Sequence, residues 1–164
     1  MTSPSTAPHC IIAGFDGSPA SRAAVSLAVQ RARPDGRIVV VHAFSPPDGA
    51  YGGPSYQKLL DAALSNARGL LANIADEVPG LGSLDWDTEV LAGPAAIALI
   101  NVADVEHATE IVVGTRGFGR ARALLGSVAH DLIHLARCPV TVIPQRALAE
   151  TPDDRLATTA SEAA

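Results

Sequence analysis

The stretch "IVVGTRGFGRARALLGSVAHDLIHLARCPVTVIP", residues 111 to 144, predicts a strand, a glycine-rich loop, a helix and a second strand. Its β-branched run, residues 111 to 113, is typical of a buried parallel strand. Gly114, Gly117 and Gly119 follow directly, where the backbone must turn or lie close to another group.

The helix predicted after this loop has a clear beginning and end. Ser127 is a good N-cap, and Pro139 stops the helix before "VTVI" opens a strand. The inward face is predicted to contain Val128, Leu132 and Leu135, helped by Ile133 and Ala136. Free N–H groups and a partial positive charge at such a helix start can hold phosphate.

The rest of the chain repeats a strand-then-helix order. We predict strands in "HCIIAGFDGS", "RIVVVHAF", "WDTEVLA" and "EIVVG", the third a half-exposed edge strand. Ser18 caps a helix that runs to about Arg33, a long amphipathic helix spans about 55 to 77, and Gly93-Pro94 opens another through about Glu106. "PGLGSLD" is predicted to be a loop. Five strands and four helices in alternation predict an α/β fold, an open five-stranded parallel sheet with helices on both faces.

Length and composition indicate one domain. The 164 residues are 48% apolar and 18% charged, which suits a buried sheet, and we assign the domain to residues 9–145 between disordered tails at 1–8 and 146–164. The net charge of −5 does not favour nucleic acid. The sequence shows no signal peptide and no membrane span, so we expect a cytoplasmic protein with reduced, buried Cys10 and Cys138.

The order Gly114, Gly117, a spacer and Gly126-Ser127, followed by an apolar helix and "CPVTVIP", resembles the nucleotide-binding signature of the universal stress protein family. The resemblance covers roughly residues 9 to 144. It implies a Rossmann-like sheet of order 3-2-1-4-5, similar to adenine nucleotide alpha hydrolases. The ligand would lie where the strand order reverses, beyond the carboxyl ends of the strands. Two departures stand out: the spacer of residues 118 to 125 is one residue shorter than usual, and Ala129 occupies a position that is often Ser or Thr.

The resemblance implies a set of nucleotide contacts. At the end of strand one, Gly14 and Asp16 would contact the adenine or ribose, and Ala43, after strand two, would flank the base. The residues that lead into and close the phosphate loop would be Val113, Gly114, Arg116, Gly117, Gly126, Ser127, Val128 and Ala129.

Several of these residues also have a purely structural interpretation. Asp16 could cap the turn into the first helix, and the glycines could only shape a tight loop. The arginines of the loop, Arg116, Arg120 and Arg122, could neutralise phosphate or be solvated. His42 could lie near the ligand or in the core. His130 and His134 have metal-ligand spacing but no carboxylate or thiol partner, so we predict no metal site.

Motifs for fast catalysis are not found. The sequence has no G-x-x-x-x-G-K-[ST], Lys58 is its single lysine, and no nucleophile elbow or general base is evident. We therefore predict no catalytic residues and a stress-response protein that binds an adenine nucleotide: ATP, with or without Mg²⁺, or alternatively cyclic AMP or AMP. The rival function is an interaction module that binds no nucleotide, and a small hydrolase of nucleotides comes third.

A homodimer is also expected. The strand at 139–144 has no charged residue between its two prolines and would lie at the sheet edge, where unpaired backbone groups invite a partner. Two copies would pair antiparallel along this strand, as the resemblance also implies.

Overall fold

The sheet and helices alternate along the chain. In the computed structural model, the described residues are 9–32, 34–47, 53–115 and 125–144. The strands are β1 (Cys10–Gly14), β2 (Arg37–Phe44), β3 (Asp85–Ala92), β4 (Glu110–Gly114) and β5 (Val140–Ile143). The helices are α1 (Pro19–Arg31), α2 (Pro54–Leu71), α3 (Ile74–Glu77), α4 (Ala95–Val105) and α5 (Ser127–Leu135), with a 3₁₀ turn at Leu81–Ser83.

The five strands form one parallel sheet of order β3-β2-β1-β4-β5. The predicted α/β class and strand order are thereby confirmed. β1 is the central strand: Ile12 pairs with Val39 of β2 on one side and with Ile111 of β4 on the other. The chain crosses from one half of the sheet to the other between β3 and β4, so the order reverses beside β1. That reversal opens a crevice at the carboxyl ends of β1 and β4.

Successive residues of each strand supply two separate cores, because side chains alternate across a sheet. Ile11 and Ala13 of β1 pack with α1, α2 and α3, whereas Cys10 and Ile12 pack with α4 and α5. Helices therefore cover both faces, as predicted. β3 is an edge strand whose residues alternate between exposed and half-buried over most of its length, which also agrees with the prediction.

The long helix predicted over 55 to 77 is wrong in one respect, since it divides at Ala72. The last turn of α2 tightens, with Ala72 N–H donating to the carbonyl of Gly69 at 3.4 Å. Asn73 then accepts hydrogen bonds from Asp76 and Glu77 N–H and starts α3. Its first residue, Ile74, is fully buried. The apolar spacing continues across the division, so periodicity alone could not reveal it.

Other local predictions need smaller corrections. The loop predicted at "PGLGSLD" contains the 3₁₀ turn, and α1 ends at Arg31. The N-cap of α5 is Gly126, with Ser127 as its first residue. This helix buries Ala129 and Leu132, whereas Ile133 and Leu135 are 53% and 55% exposed. The predicted tails at 1–8 and 146–164, together with Gln145, lie outside the described residues.

Candidate functional site

A cavity of about 480 Å³ lies at the carboxyl ends of β1, β2 and β4. Nine of the eleven residues predicted to bind a nucleotide line it: Gly14, Asp16, Ala43, Val113, Gly114, Gly126, Ser127, Val128 and Ala129. Arg116 and Gly117 fall in the segment 116–124, outside the described residues. The structure thus brings three distant parts of the sequence together around one space, at the place where ligands bind in open α/β sheets.

The turn after β1 is held by its own side chains. The Asp16 carboxylate accepts a hydrogen bond from Ser18 N–H, with 2.9 Å between Oδ1 and N. Ser18 caps α1, as predicted, by accepting from Ser21 N–H at 3.2 Å. Gly17, between Asp16 and Ser18, has φ +82°, a conformation that favours glycine. Asp16 therefore has the capping role considered for it, and its Oδ2 atom has no hydrogen bond to any described residue.

The start of α5, which also lines the cavity, presents backbone N–H groups that have no hydrogen bond to any described residue. The first intrahelical hydrogen bond of this helix runs from His130 N–H to the Gly126 carbonyl, at 2.9 Å. Gly126 has no side chain to satisfy the N–H groups of Ser127, Val128 and Ala129, which precede that bond. Together with the helix dipole, these groups make this wall of the cavity attractive to an anion.

A hydrogen bond closes the base of the glycine-rich loop. Gly126 N–H donates to the Thr115 carbonyl at 2.7 Å, and Thr115 N–H donates to the Ile143 carbonyl of β5 at 2.8 Å. Both ends of the loop are therefore attached to each other and to the sheet. The shortened spacer begins after the first of these two attached ends and leads into the second.

Two of the glycines have a packing role. A Cβ atom on Gly14 would lie 2.9 Å from a Val113 methyl and 3.3 Å from Leu99. One on Gly114 would lie 2.8 Å from Cβ of Ala20 and 3.0 Å from its carbonyl carbon. Close packing thus accounts for glycine at these two positions, and both residues also line the cavity.

His42, for which a place near the ligand and a place in the core were both considered, lines the cavity with Nδ1 2.8 Å from the Phe15 carbonyl. Because a carbonyl only accepts, this nitrogen is the donor and Nε2 is left as an acceptor in the neutral ring. Sequence reasoning did not assign the other lining residues to the site: Phe15, Ser18, Ser21, Val41, Ala95, Leu99, Thr115 and Leu125. The sequence could have indicated Ser18 and Ser21, because they follow Asp16 closely at the start of the first helix. No sequence pattern indicated Ala95 and Leu99.

The charge of the described lining is low. Asp16 is its one carboxylate, and no arginine or lysine occurs among the described lining residues. The three arginines considered as phosphate partners lie in the segment 116–124, outside the described residues. The cavity wall itself therefore offers backbone dipoles and hydroxyl groups to an anion.

The cysteines and histidines do not form a second site in the part of the chain that the structure describes. No group of three or more His, Cys, Asp or Glu residues there could hold a metal ion. The rings of His130 and His134 meet edge to face, with centroids 4.7 Å apart. Both thiols are free; burial raises the pKa of Cys10 to about 11, and burial also raises the pKa of Cys138.

Comparison with known proteins agrees with this architecture. The model of the universal stress protein family matches residues 9–144. A universal stress protein of Thermus aquaticus is 33% identical over 135 residues, covering 81% of this chain and 96% of that protein. A universal stress protein of Mycolicibacterium smegmatis is also 33% identical, over 140 residues, but this chain spans only 47% of its length.

Solved structures show the same fold. UspA from Lactobacillus plantarum superimposes with a TM-score of 0.68 at 24% identity, covering 82% of this chain and 97% of that one. A universal stress protein crystallised in complex with cAMP superimposes with a TM-score of 0.63 at 25% identity, covering 84% and 98%. None of the helices in the described ranges is long and apolar enough to cross a membrane. The family model and the T. aquaticus relative together establish that this chain belongs to the universal stress protein family.

Proposed function

We propose that this chain binds an adenine nucleotide, with ATP as the first candidate, and that it acts as a binding or signalling protein rather than an efficient enzyme. The observation that supports this most is the cavity at the reversal of strand order, which collects residues from β1, β2, β4 and α5 around one space. We place the protein in the cytoplasm, as expected from its sequence.

Each wall of the cavity suits one part of a nucleotide. Val41 and Ala43 of β2 and Leu99 of α4 provide an apolar surface for a purine ring. Oδ2 of Asp16, unbonded among the described residues, is an acceptor for a ribose hydroxyl. The N–H groups at the start of α5 and the Ser127 hydroxyl are donors for a phosphate.

Cyclic AMP is the second candidate ligand. A universal stress protein of the same fold, 25% identical to this chain, was crystallised with cAMP. A cyclic monophosphate has a single negative charge, which agrees with the absence of arginine and lysine from the described lining. ATP would need more cationic support, and Arg116, Arg120 and Arg122 are the residues of this chain that could supply it.

A protein-interaction module without nucleotide is the rival function. Ala129 supports it, because a methyl group replaces a hydroxyl that could donate to phosphate, a hydrogen bond of about 1.5–3 kcal/mol when the acceptor is charged. The closed base of the loop weakens the argument from the shortened spacer, since Thr115 and Gly126 remain in contact.

Calorimetric titration distinguishes these functions. ATP, AMP and cyclic AMP are titrated in parallel, with and without Mg²⁺, and ATP is expected to bind most tightly. Asp16→Ala is expected to weaken all three while leaving the affinity for inorganic triphosphate unchanged. Absence of heat and of a thermal shift with every adenine nucleotide would reject nucleotide binding and favour the interaction module.

We further propose a homodimer through β5. Its residues Val140–Ile143 are all half-exposed, and β5 pairs with β4 along one side only among the described strands. Ile133 and Leu135 of α5 are more than half exposed just before this strand. Antiparallel pairing of two copies would satisfy the free edge and cover apolar surface.

A further inference from the structure

The hydroxyl group of Ser21 connects the first turn of α1 to the main chain of Asp16. Ser21 Oγ donates to the Ser18 carbonyl at 2.9 Å and lies 3.3 Å from Asp16 N. A serine hydroxyl has one proton, and that proton is used toward Ser18. Ser21 Oγ is therefore the acceptor of the Asp16 N–H.

These hydrogen bonds are buried, so the loss of one of them would be costly. Ser18 and Ser21 are only 3% and 4% exposed, and they are the buried polar residues of the described chain. Both line the cavity beside Asp16. Removing one partner from a buried pair leaves the other without compensation for its lost hydration. Loss of the Ser21 hydroxyl would thus leave the Asp16 N–H unsatisfied next to the site.

Asp16 is consequently held at two points, through its main-chain N–H by Ser21 and through Oδ1 by Ser18 N–H. One carboxylate oxygen is committed to the turn, and the other, which has no hydrogen bond to any described residue, can accept one from a ligand. An acceptor fixed in this way needs little further ordering when a ligand arrives, which favours affinity.

We propose that Ser21 is a positioning residue for ligand binding, whose hydroxyl holds the main chain of Asp16 so that the free carboxylate oxygen meets a ribose hydroxyl. The proposal rests on the nucleotide-binding function proposed above. Ser21 does not contact the ligand in this scheme; its effect on affinity passes entirely through Asp16.

The helix contains a matched control. Ser26 Oγ donates to the Arg22 carbonyl at 3.0 Å, a similar serine-to-carbonyl bond one turn further along α1 and outside the cavity lining. Ser21→Ala is expected to lower AMP affinity about 3- to 10-fold, the effect of one lost hydrogen bond, whereas Ser26→Ala leaves it unchanged. Ser21→Thr retains a hydroxyl and is expected to restore most of the affinity.

A double-mutant cycle separates positioning from a general structural effect. In the Asp16→Ala background, Ser21→Ala is expected to cause no further loss of AMP affinity, because the group that it positions is gone. An equal loss in both backgrounds, or wild-type affinity for Ser21→Ala, would overturn the proposal while leaving nucleotide binding intact. Failure of the wild type to bind AMP, ATP or cyclic AMP would overturn both.

Hydrogen exchange of the ligand-free protein gives a second readout. The Asp16 N–H is expected to exchange faster in Ser21→Ala than in wild type or Ser26→Ala, and an unchanged rate would contradict the proposed contact. If Ser21→Ala does not fold, Ser21→Cys takes its place in the same measurements, since sulfur is only a weak acceptor.

Discussion

Gly114 at the end of β4 lies so close to Ala20 of α1 that a Cβ atom on the glycine would be 2.8 Å from the Cβ of the alanine and 3.0 Å from its carbonyl carbon. The second distance involves main chain, which cannot move aside as a flexible side chain could. This contact sets how near the first turn of α1 lies to the sheet, and Asp16, Ser18 and Ser21 all belong to or adjoin that turn.

We expect Gly114→Ala to destabilise the protein by about 1–3 kcal/mol, because the added methyl group overpacks a rigid contact. The free energy of unfolding measured in urea tests this. Gly69→Ala is the matched control: it lies within α2 with nothing within 4 Å of the added Cβ, so it should stabilise by about 0.5–1 kcal/mol. Equal stability of Gly114→Ala and wild type would show that α1 can move away from β4.

Adding the missing hydroxyl should strengthen phosphate binding. Ala129 lines the cavity in the first turn of α5, and Ala129→Ser would place a donor beside the N–H groups of that turn. We expect ATP affinity to rise about 10-fold, the lower end of the range for a hydrogen bond to a charged acceptor. Ala136→Ser, at the other end of the same helix and outside the described lining, should leave affinity unchanged. A folded Ala129→Ser protein with unchanged affinity would argue against phosphate at this position.

The Cys10 thiol should be almost inert at pH 8. It is 2% exposed, and burial, with Glu106 acting in the same direction, raises its pKa from 9.0 to about 11. A raised thiol pKa keeps the unreactive protonated form to higher pH, so at pH 8 the thiolate fraction is about 100-fold lower than for an ordinary cysteine. Labelling of Cys138→Ser with a thiol reagent should be slow in the native protein and rapid in urea. Rapid native labelling would mean that β1 opens readily.

Val142→Lys should produce monomers. A charged side chain in the middle of β5 is a common way in which proteins block edge-to-edge pairing. Sedimentation of the variant and the wild type at equal concentration measures the effect. Val105→Lys is a suitable control, because Val105 is a 77% exposed apolar residue at the end of α4 rather than on the edge strand. A wild type that sediments as a monomer would remove the basis for the proposed interface.

The pattern of residues predicted the strands well because their apolar runs are local. The β-branched runs of β2 and β4 marked buried parallel strands, and the alternation in β3 marked an edge. The strand order came from the family resemblance, since no periodicity tells which strands become neighbours.

What the sequence did not reveal depends on tertiary contacts. Gly114 and Ala20 are far apart in the sequence, and no residue pattern near either one indicates that they come into contact. The same is true of His42, whose bond to Phe15 depends on the pairing of β1 and β2. The early end of α2 was hidden because Ile74 continues the helical spacing into α3.

The central position of β1 also has a consequence for how the chain acquires its structure during synthesis. Ile12 of β1 pairs with Ile111 of β4, so β1 leaves the ribosome long before its second neighbouring strand has been synthesised. Until β4 emerges, the nascent chain can pair β1 only with β2 and leaves the other side of its most buried strand open. Such distant pairings fold slowly and expose aggregation-prone edges meanwhile. We therefore expect the first half of this protein, expressed alone, to be held by chaperones or to aggregate.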